Sequence, residues 1–396
     1  MLDATLGDLA RAVLTASARS DVPPFMVMDV MAAAARIEAS GGHVIHMEVG
    51  QPPAPAPKTA LDAARAALAG GRIDYTSALG NTSLRARIAR HYRETYRCVV
   101  DADRIVVTTG SSGAFVLAFL ALFEPGDRVA VAVPGYPPYR HILTALGCEP
   151  VLIETSSETR HALTGEALRA AHRQKPLQGV LVGSPANPTG TMMSREALTS
   201  LMAAAEGAGI RFISDEIYHG LDYAFPAVTA AELSPHALVI NSFSKYFCMT
   251  GWRVGWMVVP ESLVRPIERL QQNLSISVPT LSQIAAEAAF EGREEMEAIK
   301  HGYQENRRIL VEGLPRAGLT DFLPADGAFY LYADVSKFSS DSFAFAGEML
   351  EKIHVAATPG IDFDPVHGRA FVRFSYARSV SEMHEAVSRI AGWLAR

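Results

Sequence analysis

The chain has 396 residues, 49% apolar and 20% charged, with a net charge of −6 and a pI near 6.1. At roughly 150 residues per domain this is chain enough for two to three domains and a large packed core, which excludes disorder. The acidic balance argues against nucleic acid as a partner. The longest apolar run, Val116–Phe123 with Gly113–Phe115 before it, falls far short of the ~20 residues that cross a bilayer. No basic n-region or apolar h-region follows the initial Met-Leu-Asp. Cys98, Cys148 and Cys248 are too scattered for a metal knuckle or a disulfide framework. The expectation is a cytoplasmic enzyme with no metal and no membrane partner.

In chain order, the apolar spacing predicts a helix over Met28–Ala39, ended by Ser40-Gly41-Gly42. The proline-rich stretch Gly50–Pro57 cannot be helical, because each proline lacks a donor and fixes φ. Strands are then predicted at Ile105–Thr109, Arg128–Val133, Gly179–Gly183, Ile210–Ser214 and Leu238–Ser242, with helices at Gly113–Phe123, Tyr139–Leu146 and Ser194–Ala205 between them. These strands are apolar on both faces, as a parallel sheet covered by helices requires. The alternation over about residues 60–290 reads as a doubly wound α/β domain. After Pro279 the pattern changes. A long amphipathic helix from Thr280 to Arg308 is interrupted near Gly292, followed by strands at Gly327–Tyr332, Val355–Ala357 and Phe371–Ser375 and a closing helix from Ser381. The expected organisation is a large, mostly parallel α/β domain over 51–290. A smaller α+β domain is expected from the N-terminal segment 1–50 and residues 291–396.

No GxGxxG, P-loop, HExxH or GxSxG is present, which removes nicotinamide dehydrogenases, ATPases, zinc proteases and α/β-hydrolases as leading readings. Only six lysines occur, and one stands apart. Lys245 directly follows an apolar strand and has aromatic neighbours, in Ser242-Phe-Ser-Lys-Tyr-Phe247. Function in open α/β sheets sits at the carboxyl ends of strands. A lysine shielded there has a lowered pKa and acts as a nucleophile or Schiff-base former. The alternative is a strand-end lysine reaching out to solvent. Asp215, at another strand end, either holds a pyridinium nitrogen protonated or caps the next helix. Ser111 and Ser112 lie at a helix start, where backbone amides bind phosphate. Asn187 sits in a proline-fixed turn, and Tyr136 follows a strand where it can stack on a flat ring. Together these describe a cleft for a phosphorylated aromatic aldehyde.

At this point the chain resembles the fold-type I, class I/II aminotransferases that depend on pyridoxal 5'-phosphate. The likeness runs from about Pro23 to the C-terminus. It is carried by Gly50-Gln-Pro, Tyr75-Thr-Ser-Ala-Leu-Gly80, Thr109-Gly-Ser-Ser-Gly113, Pro134-Gly-Tyr-Pro137, Asn187-Pro-Thr-Gly190, Asp215-Glu-Ile-Tyr218, Ser242-Phe-Ser-Lys245, Thr250-Gly-Trp-Arg253 and Arg373-Phe-Ser-Tyr-Ala377, in family order. The resemblance implies that Lys245 forms the internal aldimine and shuttles the proton, and that Asp215 pairs with the ring nitrogen. It implies that Tyr218 and Asn187 bond the phenolic oxygen and lower the aldimine pKa, and that Tyr136 stacks on the ring. Ser111, Ser112, Ser242 and Arg253 would hold the phosphate, with Ser244 an alternative to Ser242. Arg373 would grip the substrate α-carboxylate, with the Gly50 backbone nearby. Tyr75 would reach the phosphate of the neighbouring subunit, implying a homodimer with shared sites, or else be ordinary core.

The implied activity is ping-pong transfer of the α-amino group of an L-amino acid to a 2-oxo acid. A β-lyase or decarboxylase on the same scaffold is the alternative. A DNA-binding sensor built on this fold is disfavoured, because no helix-turn-helix fits before Pro23 and the chain is acidic. The amino donor stays open. Arg19 and His219 are weak candidates for reading a second substrate carboxylate.

Overall fold

The computed structural model describes residues 15–396. Among the described residues its strands are β1 (Ile45–His46), β2 (Ile105–Thr108), β3 (Arg128–Val133), β4 (Glu149–Glu154), β5 (Gly179–Gly183), β6 (Arg211–Asp215), β7 (Leu238–Ser242), β8 (Gly255–Val258), β9 (Tyr330–Asp334), β10 (Val355–Ala356), β11 (Thr358–Pro359) and β12 (Phe371–Ser375). A seven-stranded sheet runs in the order β2-β8-β7-β6-β5-β3-β4. Only β8 runs against its neighbours β2 and β7; the remaining pairs are parallel. This is a mixed α/β fold around a large, mostly parallel sheet.

Period-two alternation feeds two cores, one on each face. In β2, Ile105 and Val107 enter one core with Val180, Val239 and Trp256. Val106 enters the other with Val131, Leu181 and Ile240. The helix Gly110–Leu122 is apolar all round because it lies between the sheet and the helix Glu261–Leu274.

The five expected strands of this sheet are present, and two more join them. β4 is one of the two outer strands, opposite β2. Its polar ends, Glu149 and Glu154, and Pro150 hide it from a search for apolar runs. β8 directly follows Arg253, whose positive φ of 51° helps turn the chain back antiparallel between β2 and β7. Six α-helices of the described residues also went unread in the sequence: Lys58–Ala69, Thr82–Tyr96, Gly165–Gln174, Ala230–Leu233, Glu261–Leu274 and Ser342–Ile353.

In the C-terminal region β11, β12 and β9 form an antiparallel sheet, and β1 pairs in parallel with β10. That pairing ties the N-terminal segment to the C-terminal third. The long helix does divide, into Thr280–Ala289 and Arg293–Arg316. A Cβ on Gly292 between them would overlap the Pro57 ring. The expected strand Val355–Ala357 is present as β10, paired with β1, and a further strand, β11, follows it where Thr358 pairs with Arg373. The strand expected from Gly327 begins only at Tyr330, since Ala328 adopts a left-handed turn with φ 57°. No helix among the described residues is long and apolar enough to cross a membrane, and none of their acidic, histidine or cysteine groups could hold a metal ion.

Candidate active site

The parallel arrangement brings the carboxyl ends of β2, β3, β5, β6 and β7 to one edge, and a cavity of about 250 Å³ opens there. Ten of the twelve residues singled out in the sequence line it: Gly50, Ser111, Ser112, Tyr136, Asn187, Asp215, Tyr218, Lys245, Arg253 and Arg373. They come from segments more than 300 residues apart in the chain, so the fold, not local sequence, assembles them.

Lys245 is at the centre. Its Nζ donates to the Gly50 carbonyl at 2.6 Å. Burial, with Arg373 and Arg253 nearby, lowers its pKa to about 8; Asp215 works in the opposite direction. Asp215 ends β6 and is buried, and burial raises its carboxyl to about 6. Two donors oppose that rise. Ile217 N–H reaches Asp215 Oδ1 at 3.1 Å, and the Tyr139 hydroxyl donates to Oδ2. The carboxylate is thereby fixed from both sides and does not cap a helix side-on as a free Asp would.

One end of the cavity is built for an anion. The helix after β2 starts at Gly110, three residues before its expected start, so Ser111 and Ser112 lie in its first turn with unpaired backbone amides. Gly110 has φ +68°, and a Cβ on it would overlap the Arg253 guanidinium. Only glycine lets that arginine close on the helix start. Arg253 is oriented by donating to Thr250 O at 2.9 Å. Ser244 lines this end. Ser242 does not; it lies behind, donating to Ser244 Oγ at 2.9 Å and to Val254 O at 3.2 Å.

The opposite wall comes from the C-terminal sheet. Arg373 on β12 is 2% exposed, with its guanidinium between the rings of Tyr330 and Phe363 at 4.4 and 4.7 Å. It donates to Asn187 Oδ1 at 2.9 Å, to Thr358 Oγ1 at 3.1 Å and to the Glu48 carbonyl. Its buried Nε has no partner among the described residues. Asn187 therefore accepts with its oxygen and presents its Nδ2 elsewhere. Tyr136 packs edge-on against Phe25 and Tyr139.

Two predicted residues lie outside. Tyr75 is 80% exposed and does not touch the cavity, so it is not core. Of the two weak candidates, Arg19 is exposed and away from the lining. His219 points to the far side, with Nδ1 on the Tyr96 hydroxyl at 2.9 Å and Nε2 on Ser184 O at 3.0 Å; burial lowers its pKa to about 4. Sequence reasoning missed Tyr139, Tyr330 and Thr250, and gave Ser244 only as an alternative to Ser242. Tyr139 stood in the motif Pro134–Tyr139, one helical turn beyond Tyr136. Tyr330 sat in an apolar strand with nothing local to mark it.

The family "aminotransferase class I and II" matches residues 42–390. A valine–pyruvate aminotransferase of Mycobacterium tuberculosis is 48% identical over 380 residues, 95% of this chain and 97% of that protein. An aspartate aminotransferase of Thermotoga maritima is 32% identical over 95% of this chain and 98% of its own. A crystal structure of an aminotransferase from Mycobacterium tuberculosis superposes with a TM-score of 0.94 at 47% identity, covering 96% of this chain and 99% of that one. These matches are named for amino-group transfer rather than for lyase or decarboxylase chemistry. The protein is an enzyme of the class I and II aminotransferase family, moving amino groups between amino acids and 2-oxo acids.

Proposed function

We propose that the cavity holds pyridoxal 5'-phosphate covalently at Lys245 and that the enzyme moves the α-amino group of an L-amino acid with a small apolar side chain to a small 2-oxo acid such as pyruvate. The observation that carries this reading is Lys245 itself: a half-buried lysine at a strand end, its amine on the Gly50 carbonyl and its pKa lowered to about 8, in one cavity with Asp215 and Arg373. The fit of the cofactor is supported by the anion cradle, which a side chain at Gly110 would fill. An acidic partner for a ring nitrogen, Asp215, completes the set. Bound there, pyridoxal phosphate supplies an electron sink for the charge that develops at the substrate Cα.

The chain's own residues do the rest. Lys245 would hold the cofactor until the substrate amine displaces it, and the freed Lys245 amine would then take the Cα proton and hand it to the cofactor carbon. Asp215, kept in place by Tyr139 and Ile217, neutralises the ring nitrogen. Tyr218 and the Asn187 Nδ2 donate to the phenolic oxygen, and Tyr136 covers the ring face. The Ser111 and Ser112 amides, Ser244 and Arg253 hold the phosphate, with Ser242 positioning Ser244. Arg373 grips the α-carboxylate with its fork of donors.

Among the described residues the cations lining the cavity are Lys245, Arg253 and Arg373, and each has a role above. Phe25, Val27, Met28, Val49 and Ile217 line the remaining wall, an apolar surface suited to an aliphatic side chain. The name of the 48%-identical relative agrees with this.

The reading also includes a cytoplasmic homodimer serving amino-acid metabolism. Tyr75 lies beside other exposed apolar residues, Leu68 and Ile73. Leu274 and Ile276 are also exposed, and their segment is tied to that of Tyr75 by Thr280 on Asp74 O and Gln283 on Thr76. An apolar surface of this kind marks an interface, and from it Tyr75 would reach the partner's phosphate site. The test is a donor panel of L-valine, L-alanine, L-aspartate and L-glutamate against the loaded enzyme, read by the aldehyde-to-amine spectral change and by amine arriving on pyruvate. Valine and alanine should exceed the acidic donors at least tenfold; a preference for the acidic donors would refute the substrate reading.

A further inference from the structure

Tyr330 meets three parts of the site at once. Its hydroxyl lies 2.8 Å from the Tyr218 hydroxyl, and both side chains are buried. It also fills the space that a side chain on Gly50 would need, since a Cβ there would overlap the Tyr330 oxygen. Gly50 in turn supplies the carbonyl on which the Lys245 amine rests. The Arg373 guanidinium covers the Tyr330 ring face.

A hydroxyl carries one hydrogen. Two hydroxyls 2.8 Å apart share one hydrogen bond, and geometry alone permits either to donate. The choice is settled by what else each oxygen faces. With the cofactor bound as proposed above, Tyr218 gives its hydrogen to the phenolic oxygen, so the hydrogen filling the contact belongs to Tyr330. The result is a chain of donors: Tyr330 to Tyr218, and Tyr218 to the cofactor. In a low-dielectric interior each bond in such a chain polarises the next. The cation over the Tyr330 ring adds to this by making the phenol a better donor; Arg373 opposes the upward push that burial gives its pKa.

We propose that Tyr330 is a positioning residue that donates its hydroxyl hydrogen to Tyr218 and so strengthens the hydrogen bond Tyr218 gives to the cofactor oxygen. Because the same ring lies against Arg373, Tyr330 also joins the carboxylate-binding arginine to the cofactor oxygen by a path separate from the Arg373–Asn187 bond. The inference rests on the assignment of Tyr218 to that oxygen.

The test is a spectrophotometric titration of the lysine–cofactor chromophore in the loaded enzyme, comparing wild type with Tyr330→Phe, Tyr218→Phe and the double variant. A weaker donor at the phenolic oxygen leaves more negative charge there to hold the chromophore's proton, so the midpoint moves up. Tyr330→Phe should raise it by a few tenths of a pH unit, roughly twofold in the ionisation constant for a modest loss of cooperativity. Tyr218→Phe should raise it further, and adding Tyr330→Phe to that background should change nothing more. Substituting 3-fluorotyrosine at 330 keeps the shape and makes a stronger donor, so the midpoint should fall; this arm also serves if Tyr330→Phe folds poorly. An unchanged midpoint in both Tyr330 variants, beside a raised one in Tyr218→Phe, overturns the relay and leaves the proposed function intact. If Tyr218→Phe itself does not move the midpoint, Tyr218 is not on the phenolic oxygen and both assignments fall.

Discussion

The two walls of the active site are made by different means. The wall carrying Asp215, Tyr218, Asn187, Ser111, Ser112 and Lys245 follows from one rule, that a parallel sheet collects its strand ends at one edge. The facing wall has no such rule. Arg373, Tyr330 and Gly50 come from β12, β9 and the segment after β1, and they meet because β1 pairs with β10 while β11 pairs with β12. The first wall is assigned to the cofactor and the second to the substrate carboxylate. Lesions on the two walls should therefore read differently, in rate on one side and in substrate affinity on the other.

The largest effect belongs to Lys245. Lys245→Ala removes the covalent anchor and the group that moves the Cα proton. Turnover should fall by at least about 10³-fold, about 4 kcal/mol of barrier, while the cofactor still binds through the phosphate cradle. Borohydride should fix a cofactor adduct on the wild-type peptide holding Lys245 and none on the variant. Near-normal transamination by Lys245→Ala would end this assignment.

Asp215→Ala and Arg373→Gln set the two walls directly against each other. Loss of the Asp215 charge should lower kcat by about 10²-fold or more, about 3 kcal/mol, with little change in KM. Arg373→Gln leaves a buried carboxylate without its bidentate partner and should raise KM for the amino donor by about 30-fold, about 2 kcal/mol, with a smaller change in kcat. Steady-state kinetics on both variants decides the matter. Equal division of the loss between kcat and KM in both would show that the walls are not functionally distinct.

The same contrast explains what was legible in the sequence. Strands of the large sheet announce themselves as apolar runs, and the residues one to three positions past each run are the candidates, as Asp215 and Lys245 are. Ser242 against Ser244 illustrates the limit. Ser242 ends β7 and Ser244 lies two residues further on, and only the direction of the chain after the strand puts Ser244 on the cavity and Ser242 behind it. Arg373 was legible because a cation in an apolar strand is costly unless it has a task. Tyr330 was not, because an aromatic in a strand has no such cost and its partner Tyr218 lies 112 residues away. β4 escaped because Glu149, Pro150 and Glu154 cut its apolar run short, and β8 because its antiparallel insertion breaks the alternation that located the others.

The first wall should also carry a measurable stability cost in the cofactor-free protein. The Lys245 amine is lowered from 10.5 to about 8. Between those values the unfolded chain binds a proton that the folded chain does not, so stability rises with pH across about 8 to 10.5. Below about 8 the lysine is charged in both states and the full cost persists. A shift of this size is worth about 3 kcal/mol, partly offset by the Gly50 hydrogen bond, about 1 kcal/mol. Cofactor-free Lys245→Met should therefore be more stable than wild type by about 2 kcal/mol at pH 7 in urea unfolding. The gap should close toward pH 10.5. A gap independent of pH would mean that the buried charge is not its source.

The smallest expected effect concerns Tyr75, which lies on neither wall. Its 80% exposure within a single chain leaves the phosphate end without it, and the proposed dimer would supply it from the partner. Loss of one hydrogen bond to a phosphate in Tyr75→Phe should cost about 1.5 kcal/mol, read as weaker retention of the cofactor. Complementation separates the two placements. Inactive Lys245→Ala chains are mixed with an impaired Tyr75 variant, Tyr75→Ala giving the clearer defect, and subunits are allowed to exchange. If Tyr75 serves the partner's site, each heterodimer has one site with both lesions and one with neither, so activity returns toward one intact site per dimer. If Tyr75 acted within its own subunit, every site would keep a lesion and mixing would restore nothing. Failure of activity to return after exchange has been demonstrated would remove Tyr75 from the phosphate site, leaving its exposure beside Ile73 to be explained by the interface alone.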